Sequence, residues 1–340
     1  MNINDVAEAA GVSRATVSQV LRGSGRISAE TRQRVVKVIN EIGYIYNRAA
    51  ANLRAGHSDT VGIAIESFSN PFYAELTAGA VRVLEGEGFF PTLVEVEDNA
   101  QRQSRFLTML RENMMAGAIL CPTRHMAAKA VAEWQRHAPP TVCLLRKSIA
   151  DAFDYVGVDN AVGGAEATRH LIGLGHRAIG FIGGNPGSQS REERLTGWRD
   201  ALAAAGIQPS DDWVEPTEST IAAGSEGIRR LLGRTHLTGI VCHQDIVAFG
   251  VTIGLRQIGL VPGRDVSVVG FDDISSARDW DPPLTTMSVT PGTLGAEAAR
   301  MLLKRIEDPE AALQSITIRP RLVTRASTAP RNAGQGVESP

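Results

Sequence analysis

Arg14, Ala15, Ser18, Gln19 and Arg22 fall on one face of a short helical pattern near the N-terminus. Arginine can donate to guanine O6 and N7, glutamine can pair with adenine N6 and N7, and a methyl group can meet that of thymine. Such a face is suited to reading base edges in duplex DNA. The elements that must hold it are also legible. Asn2 is placed to cap a first helix, with Asp5 answering it as in a capping box. Gly11 sits where a left-handed residue ends that helix, and Ser13 can cap the next. Val6, Ala10, Val17 and Leu21 can meet in the angle between the two helices. This is the layout of a helix-turn-helix, whose second helix enters the major groove. A third helix follows the turn at 23–27, capped by Ser28, with Val35, Val38, Ile39 and Ile42 on its apolar face and Gly43 as its stop.

Charge supports this reading of the N-terminus. Residues 1–57 carry Arg14, Arg22, Arg26, Arg32, Arg34, Lys37, Arg48 and Arg54 against Asp5, Glu8, Glu30 and Glu41, a net +4. The whole chain stands at −2, which leaves −6 for the remainder. A basic head on an acidic body offers one end to phosphates. The head ends in an alanine-rich stretch, 44–56, with almost no core of its own. A helix that short does not persist alone in water and needs a partner to fold.

From Val61 the pattern changes. Strands are expected at Val61–Ile65, Pro91–Val96, Gly117–Cys121, Thr141–Leu145 and Tyr155–Asp159. A second series is expected at Ala178–Gly183, Trp213–Glu215, Gly239–Cys242, Val266–Gly270 and Thr285–Val289. Amphipathic stretches such as Ala161–Leu174 and Glu192–Ala205 lie between them. Strand–helix alternation argues for parallel sheets covered on both faces, and ten strands are too many for one sheet of ordinary width. Two doubly wound lobes follow, with a ligand between them at the carboxyl ends of the strands. The segment Ala326–Pro340, polar and rich in Gly, Pro and Ser, is expected to be disordered.

Several function classes find no support. At 340 residues, 43% hydrophobic and 21% charged, the composition is that of a globular protein of more than one domain. No apolar run approaches a membrane span. The polar start Asn2-Ile3-Asn4-Asp5 is unlike a secretion signal, and a cytosolic protein is expected. Cys121, Cys143 and Cys242 lie in or beside apolar runs without metal-like spacing, as buried thiols do. The glycine-rich 183–188 fits neither a dinucleotide-binding fingerprint nor a P-loop. No Ser-His-Asp grouping has usable spacing, and His170, His176 and His243 read as structural or surface histidines. Neither an enzyme, a cofactor nor a metal is expected.

The chain resembles the lactose-repressor (LacI/GalR) family over about residues 2–325. The resemblance rests on Asp5-Val6-Ala7, Gly11-Val12-Ser13, Thr16-Val17-Ser18, Gly43-Tyr44 and Asn47 in the head. In the body it rests on Asn70-Pro71-Phe72-Tyr73-Ala74-Glu75-Leu76, Val158-Asp159-Asn160, His170-Leu171-Ile172, Gly175-His176-Arg177 and Arg194-Leu195-Thr196-Gly197-Trp198. Val268–Asp273 and Pro283-Leu284-Thr285-Thr286 complete it. Within that family, 73–79 and Asp212-Trp213-Val214-Glu215 resemble the maltose-regulon repressor subgroup.

The resemblance implies a small all-α helix-turn-helix headpiece (1–46) and a hinge helix with its linker (47–57). These are joined to an α/β core (58–328) of two doubly wound lobes like a periplasmic binding protein. The N-lobe would be about 59–158 plus 290–317, the C-lobe about 159–286 plus 318–328, and 329–340 a tail. It implies a homodimer on a near-palindromic double-stranded DNA operator, with a small effector, a carbohydrate, between the lobes, and no membrane. Arg14, Ala15 and Gln19 match base-reading positions; Gln19 replaces the arginine common there. Ser18 and Arg22 share that face. Ser13, Ser18, Ser28, Thr31 and Asn47 match phosphate-positioning sites. Leu53 matches the hinge wedge that enters the minor groove, and Arg54 its neighbour.

For the effector, the resemblance implies Phe72, Tyr73, Ser190, Arg194, Gln244, Asp245 and Asp272. A carboxylate and a guanidinium suit sugar hydroxyls. Asp245 could instead cap a helix, and Asp272 could pair with Arg194. Trp280 is a candidate ring for stacking on a sugar. Arg146 stands where some relatives have an acid, and Glu218, Ser219 and Thr220 where others have an aromatic wall. An effector acts only by binding one lobe arrangement better than another, and induction and corepression use the same parts.

Overall fold

A computed structural model describes residues 1–21, 25–46, 58–124, 126, 128–147 and 152–331. The chain divides into two compact units, Met1–Ser58 and Asp59–Pro340. In the first, helices α1 (Ile3–Ala10), α2 (Arg14–Leu21) and α3 (Ala29–Ile42) pack on Val6, Ala10, Val17, Val20, Val35 and Val38. Leu21, Ile39 and Ile42 are half-buried against this core. The caps are those the sequence offers. The Asn2–Asp5 capping box is formed, and Gly11 closes α1 with φ +62°. Ser13 Oγ accepts from Thr16 N at 3.1 Å and Ser28 Oγ from Thr31 N at 3.2 Å.

The second unit holds two six-stranded sheets. The first runs in the order β11-β5-β4-β3-β1-β2, built from β1 (Thr60–Ile65), β2 (Phe90–Glu95), β3 (Gly117–Leu120), β4 (Thr141–Leu144), β5 (Asp154–Val158) and β11 (Ser315–Ile318). All its pairings are parallel. The second runs β12-β10-β9-β8-β6-β7, built from β6 (Ile179–Ile182), β7 (Val214–Glu215), β8 (Gly239–Cys242), β9 (Ser267–Asp272), β10 (Thr285–Ser288) and β12 (Arg321–Val323). Only β12 is antiparallel to its neighbour. Ten strands stand where the sequence places them. β11 and β12 are additional.

Helices α4 (Pro71–Gly86), α5 (Ala100–Glu112) and α6 (Ala128–His137) belong with the first sheet, and α12 (Pro291–Glu307) returns to pack on α4. Helices α7 (Asn160–Gly173), α8 (Gln189–Ala204), α9 (Ile221–Arg234), α10 (Asp245–Gln257) and the short α11 (Ser276–Asp279) belong with the second. The chain therefore passes from one sheet to the other three times, after β5, after β10 and between β11 and β12. Strand cores such as Ile63, Ile119, Val142, Phe181, Val241 and Val269 are buried, as parallel strands covered on both faces must be.

One helix pair fixes a cleft residue. α7 and α8 approach so closely that a Cβ at Gly164 would lie 2.2 Å from Arg194 O, and one at Gly197 2.0 Å from Ala161 O. Only glycine permits that contact, and it sets Arg194 beside Asn160.

The expected disorder from Ala326 onward is corrected for 326–331. Ser327 is buried and its Oγ donates to Val268 O at 2.6 Å, while Ala329 O lies 3.1 Å from His176 Nε2. A polar composition misleads here because the side chains and carbonyls find partners on the second lobe. Residues 332–340 lie outside the described residues.

Candidate functional site

On the head, Arg14 and Ala15 are exposed on α2, with Ser18 and Gln19 half-buried beside them. The Gln19 amide lies over Gly25, where a Cβ would meet its Cδ at 3.0 Å. The turn glycine thus leaves room for this side chain. Ser13 and Ser28 cap α2 and α3, and Thr31, in the first turn of α3, accepts from the Ser28 hydroxyl at 2.9 Å. Arg22, Asn47, Leu53 and Arg54, like the whole hinge 47–57, lie outside the described residues.

The core holds a cavity of about 190 Å³ between its two sheets, smaller than the roughly 300–1,000 Å³ of ordinary ligand pockets. Its lining follows the carboxyl ends of the strands: Glu66 after β1, Cys121 after β3, Arg146 after β4, Asn160 after β5, His243 and Gln244 after β8, and Asp272 ending β9. Phe72, Tyr73, Ser190, Arg194, Gln244 and Asp272 all reach it. Phe72 and Tyr73 enter from the first turn of α4, where Asn70 caps the helix by accepting from Phe72 N. Their rings meet edge to face at 5.3 Å.

Arg194 is buried and stacked 3.5 Å above the Phe271 ring. Its Nε donates to Asn160 Oδ1 at 2.8 Å, and its Nη1 donates to His243 O. Burial lowers its pKa to about 10, against the pull of Asp272. No ion pair joins it to Asp272 among the described residues. Instead Asp272 Oδ1 is buried without a hydrogen-bond partner. Burial pushes its carboxyl well above the usual range, with Arg194 opposing. The backbone is strained at the same place: Asp272 has φ +125° and Asp273 +58°. A carboxyl oxygen without a hydrogen-bond partner and a strained backbone thus lie together at the cavity wall.

The opposite wall holds an ion cluster without any sequence spacing to announce it. Arg146 donates to Asp98 at 2.9 Å and to Pro122 O at 3.2 Å, and pairs with Glu66. Arg124 pairs with Asp98. The Tyr73 hydroxyl donates to Glu66 at 2.9 Å. Arg146 is thus committed to two acids. Ser219 and Thr220 also line the cavity. Hydrogen bonds cross between the lobes, from Arg124 to Pro186 O at 3.5 Å and from Ser275 N to Glu75 at 2.8 Å.

Two expectations need correction. Asp245 does not line the cavity. It is fully buried, its carboxylate accepts from Ile274 N at 3.0 Å and from Thr286 Oγ1, and burial raises its pKa to about 6. It ties α10 to the loop after β9; the cap position itself is Gln244. Trp280 is not a sugar platform. It stacks on Phe249 at 4.1 Å and its Nε1 donates to Thr252 at 2.8 Å. The three cysteines are buried and unbridged. Among the described residues no helix is long and apolar enough to cross a membrane.

Residues 2–47 match the family profile of bacterial regulatory proteins, lacI family, and residues 168–328 that of the periplasmic binding protein-like domain. The HTH-type transcriptional regulator DegA of Bacillus subtilis (strain 168) is 31% identical over 332 residues, 97% of this chain and 98% of its own. This chain belongs to the lacI family. It is a DNA-binding transcriptional repressor of that family, with an effector-binding core and no enzymatic role. The maltose regulon regulatory protein MalI of Escherichia coli (strain K12) is 33% identical over 334 residues, 95% of this chain and 97% of its own. It stands level with DegA, so the finer maltose-regulon likeness is not singled out. The lac repressor dimer bound to operator and the anti-inducer ONPF has the same fold, with TM-score 0.85 and 26% identity over 97% of this chain and 99% of its own. The transcriptional regulator CelR in its cellobiose complex gives TM-score 0.72 and 30% identity over 96% of this chain and 99% of its own.

Proposed function

We propose that this lacI-family repressor binds a near-palindromic operator as a homodimer in the cytoplasm, and that a sugar or sugar derivative in the cleft sets its operator affinity. The observation that carries the effector reading is the unpartnered Asp272 carboxylate beside Arg194, facing Phe72 and Tyr73 across a small cavity. Hydroxyls supply the missing donors, guanidinium meets ring and hydroxyl oxygens, and aromatic rings cover the apolar face of a sugar. CelR binds cellobiose, which supports the ligand class.

In this reading 1–46 is the DNA-reading head and 47–57 the hinge. Arg14, Ala15, Gln19 and Arg22 face the major groove, and Ser13, Ser18, Ser28, Thr31 and Asn47 hold phosphates. Leu53 and Arg54 enter the minor groove, where a wedge kinks the duplex at the dimer axis. The N-lobe comprises about 59–158 plus 290–317 and the C-lobe about 159–286 plus 318–328. The effector shifts the lobe arrangement, and the hinges transmit it. The test is selection of bound sites from random duplex DNA, repeated with candidate sugars. A motif with two-fold symmetry whose recovery changes with one sugar supports the proposal. Recovery of unrelated sequences, or indifference to every sugar, defeats it.

A further inference from the structure

His243 follows β8 and lines the cleft on the side of the second sheet. It is 4% exposed, and burial, with Arg194, Arg191 and Arg146 near, holds its imidazole well below the usual pKa. The ring is therefore neutral at physiological pH. Its Nδ1 has no hydrogen-bond partner among the described residues. The other edge of the ring is occupied: Cδ2 faces Gly184, where a Cβ would lie 3.0 Å away.

The same wall holds two more atoms without partners, Asp272 Oδ1 and Gln244 Oε1, both acceptors. On the facing wall the polar groups are engaged: Tyr73 with Glu66, and Arg146 with Glu66, Asp98 and Pro122. Buried polar atoms left unpaired are costly, so a set of them on one wall of a cavity marks where a ligand supplies partners. The cations that reach the cleft are engaged: Arg124 and Arg146 pair with Asp98 and Glu66, and Arg194 spends Nε and Nη1 on Asn160 and His243 O. Among the described residues no cluster of free cations lines the cavity for an acidic or phosphorylated ligand.

We infer that His243 is a ligand-contacting specificity residue, that it holds the same end of the effector as Asp272 and Gln244, and that this end is the hydroxyl-bearing edge of an uncharged polyol. The inference rests on the effector cleft proposed above. The imidazole takes one hydroxyl while Asp272 and Gln244 accept from its neighbours. The ligand's less polar side then lies against Phe72 and Tyr73.

The test uses the full-length protein with His243→Ala and His243→Asn. Thermal shift and calorimetric titration compare neutral pentoses, hexoses and disaccharides, ribose and cellobiose among them, with glucose 6-phosphate and glucuronate. Monodeoxy analogues of the best sugar complete the set. Nδ1 has no internal partner, so its removal breaks no internal hydrogen bond; if the alanine variant does not fold, the asparagine variant carries the comparison. The expected result is a neutral sugar as the best ligand, weakened about tenfold or more by losing the imidazole, with a changed ranking of sugars. One monodeoxy analogue should bind wild type and variant alike. Unchanged affinities and ranking overturn the role of His243. Tightest binding by the phosphate or the uronate overturns the uncharged polyol. If nothing binds the wild type, the effector cleft itself falls, and this inference with it.

Discussion

Replacing Asp272 by asparagine separates two accounts of the cleft. If the carboxylate were a structural partner of Arg194, its loss would destabilise the core. The geometry predicts the reverse. Asp272 is 2% exposed and its Oδ1 has no partner. Its pKa is raised chiefly by burial, with Arg194 opposing. A carboxyl whose folded pKa is raised contributes stability that is full below its unfolded pKa, near 4, and is lost as pH rises through the folded value. Asparagine escapes that loss, and its backbone preferences differ little from those of aspartate at the positive φ of this position. Asparagine still buries a polar amide, so the gain is limited to the extra cost of the charge, about 1–3 kcal/mol, or about 1–4 °C in Tm for a chain of this size. Thermal unfolding without ligand is the assay, at pH 8 and pH 5, and the gain should be larger at pH 8. The same variant should bind its effector about 10–150-fold more weakly, the equivalent of one hydrogen bond to a charged group. A variant that is less stable than wild type at pH 8 but equal to it at pH 5 would refute the reasoning, because the charge would then be a satisfied one.

Three further outcomes are expected. Gln19→Arg should move the preferred half-site base from adenine toward guanine by about 1–3 kcal/mol; an unchanged motif from site selection would show that Gln19 does not read bases. Asp245→Ala should cost about 2–5 kcal/mol in thermal unfolding, because it leaves Ile274 N and Thr286 Oγ1 buried without their acceptor; a loss below about 0.5 kcal/mol would contradict that structural role. Leu53→Ala should weaken operator binding far more than binding to random DNA and reduce the induced bend, measured by mobility of circularly permuted fragments; equal losses on both DNAs with an unchanged bend would remove the wedge.

Local signals were legible and long-range ones were not. The caps Asn2, Ser13 and Ser28 and the stops Gly11 and Gly43 act within a turn of their own residues, and each stands where the sequence places it. The ten apolar strand runs are legible because burial on both faces leaves little choice of residue. β11 and β12 escaped because they are short, half-exposed edge strands of mixed polarity, such as Ser315-Ile316-Thr317-Ile318. Their partners, β5 and β10, lie far away in the chain, with α12 and β11 between β10 and β12. Glu66, Asp98 and Arg124 escaped for a related reason: they come from different strand ends, and only the closed sheet brings them to Arg146. Asp245 and Trp280 were misplaced because a carboxylate or an indole near a cleft says nothing of which way it turns.

The order in which the strands appear along the chain has a consequence for synthesis. A ribosome finishes the head early and soon after releases β1 to β5, yet one edge strand of that first sheet, β11, is encoded beyond the entire second sheet except β12. Until Ile318 emerges, β5 keeps an open edge. The nascent protein thus carries its DNA-reading head on a body whose first sheet is incomplete until β11 has left the tunnel. Unpaired edges of this kind invite association with other chains, so a stall or truncation shortly before residue 315 would leave an aggregation-prone repressor rather than a weaker one.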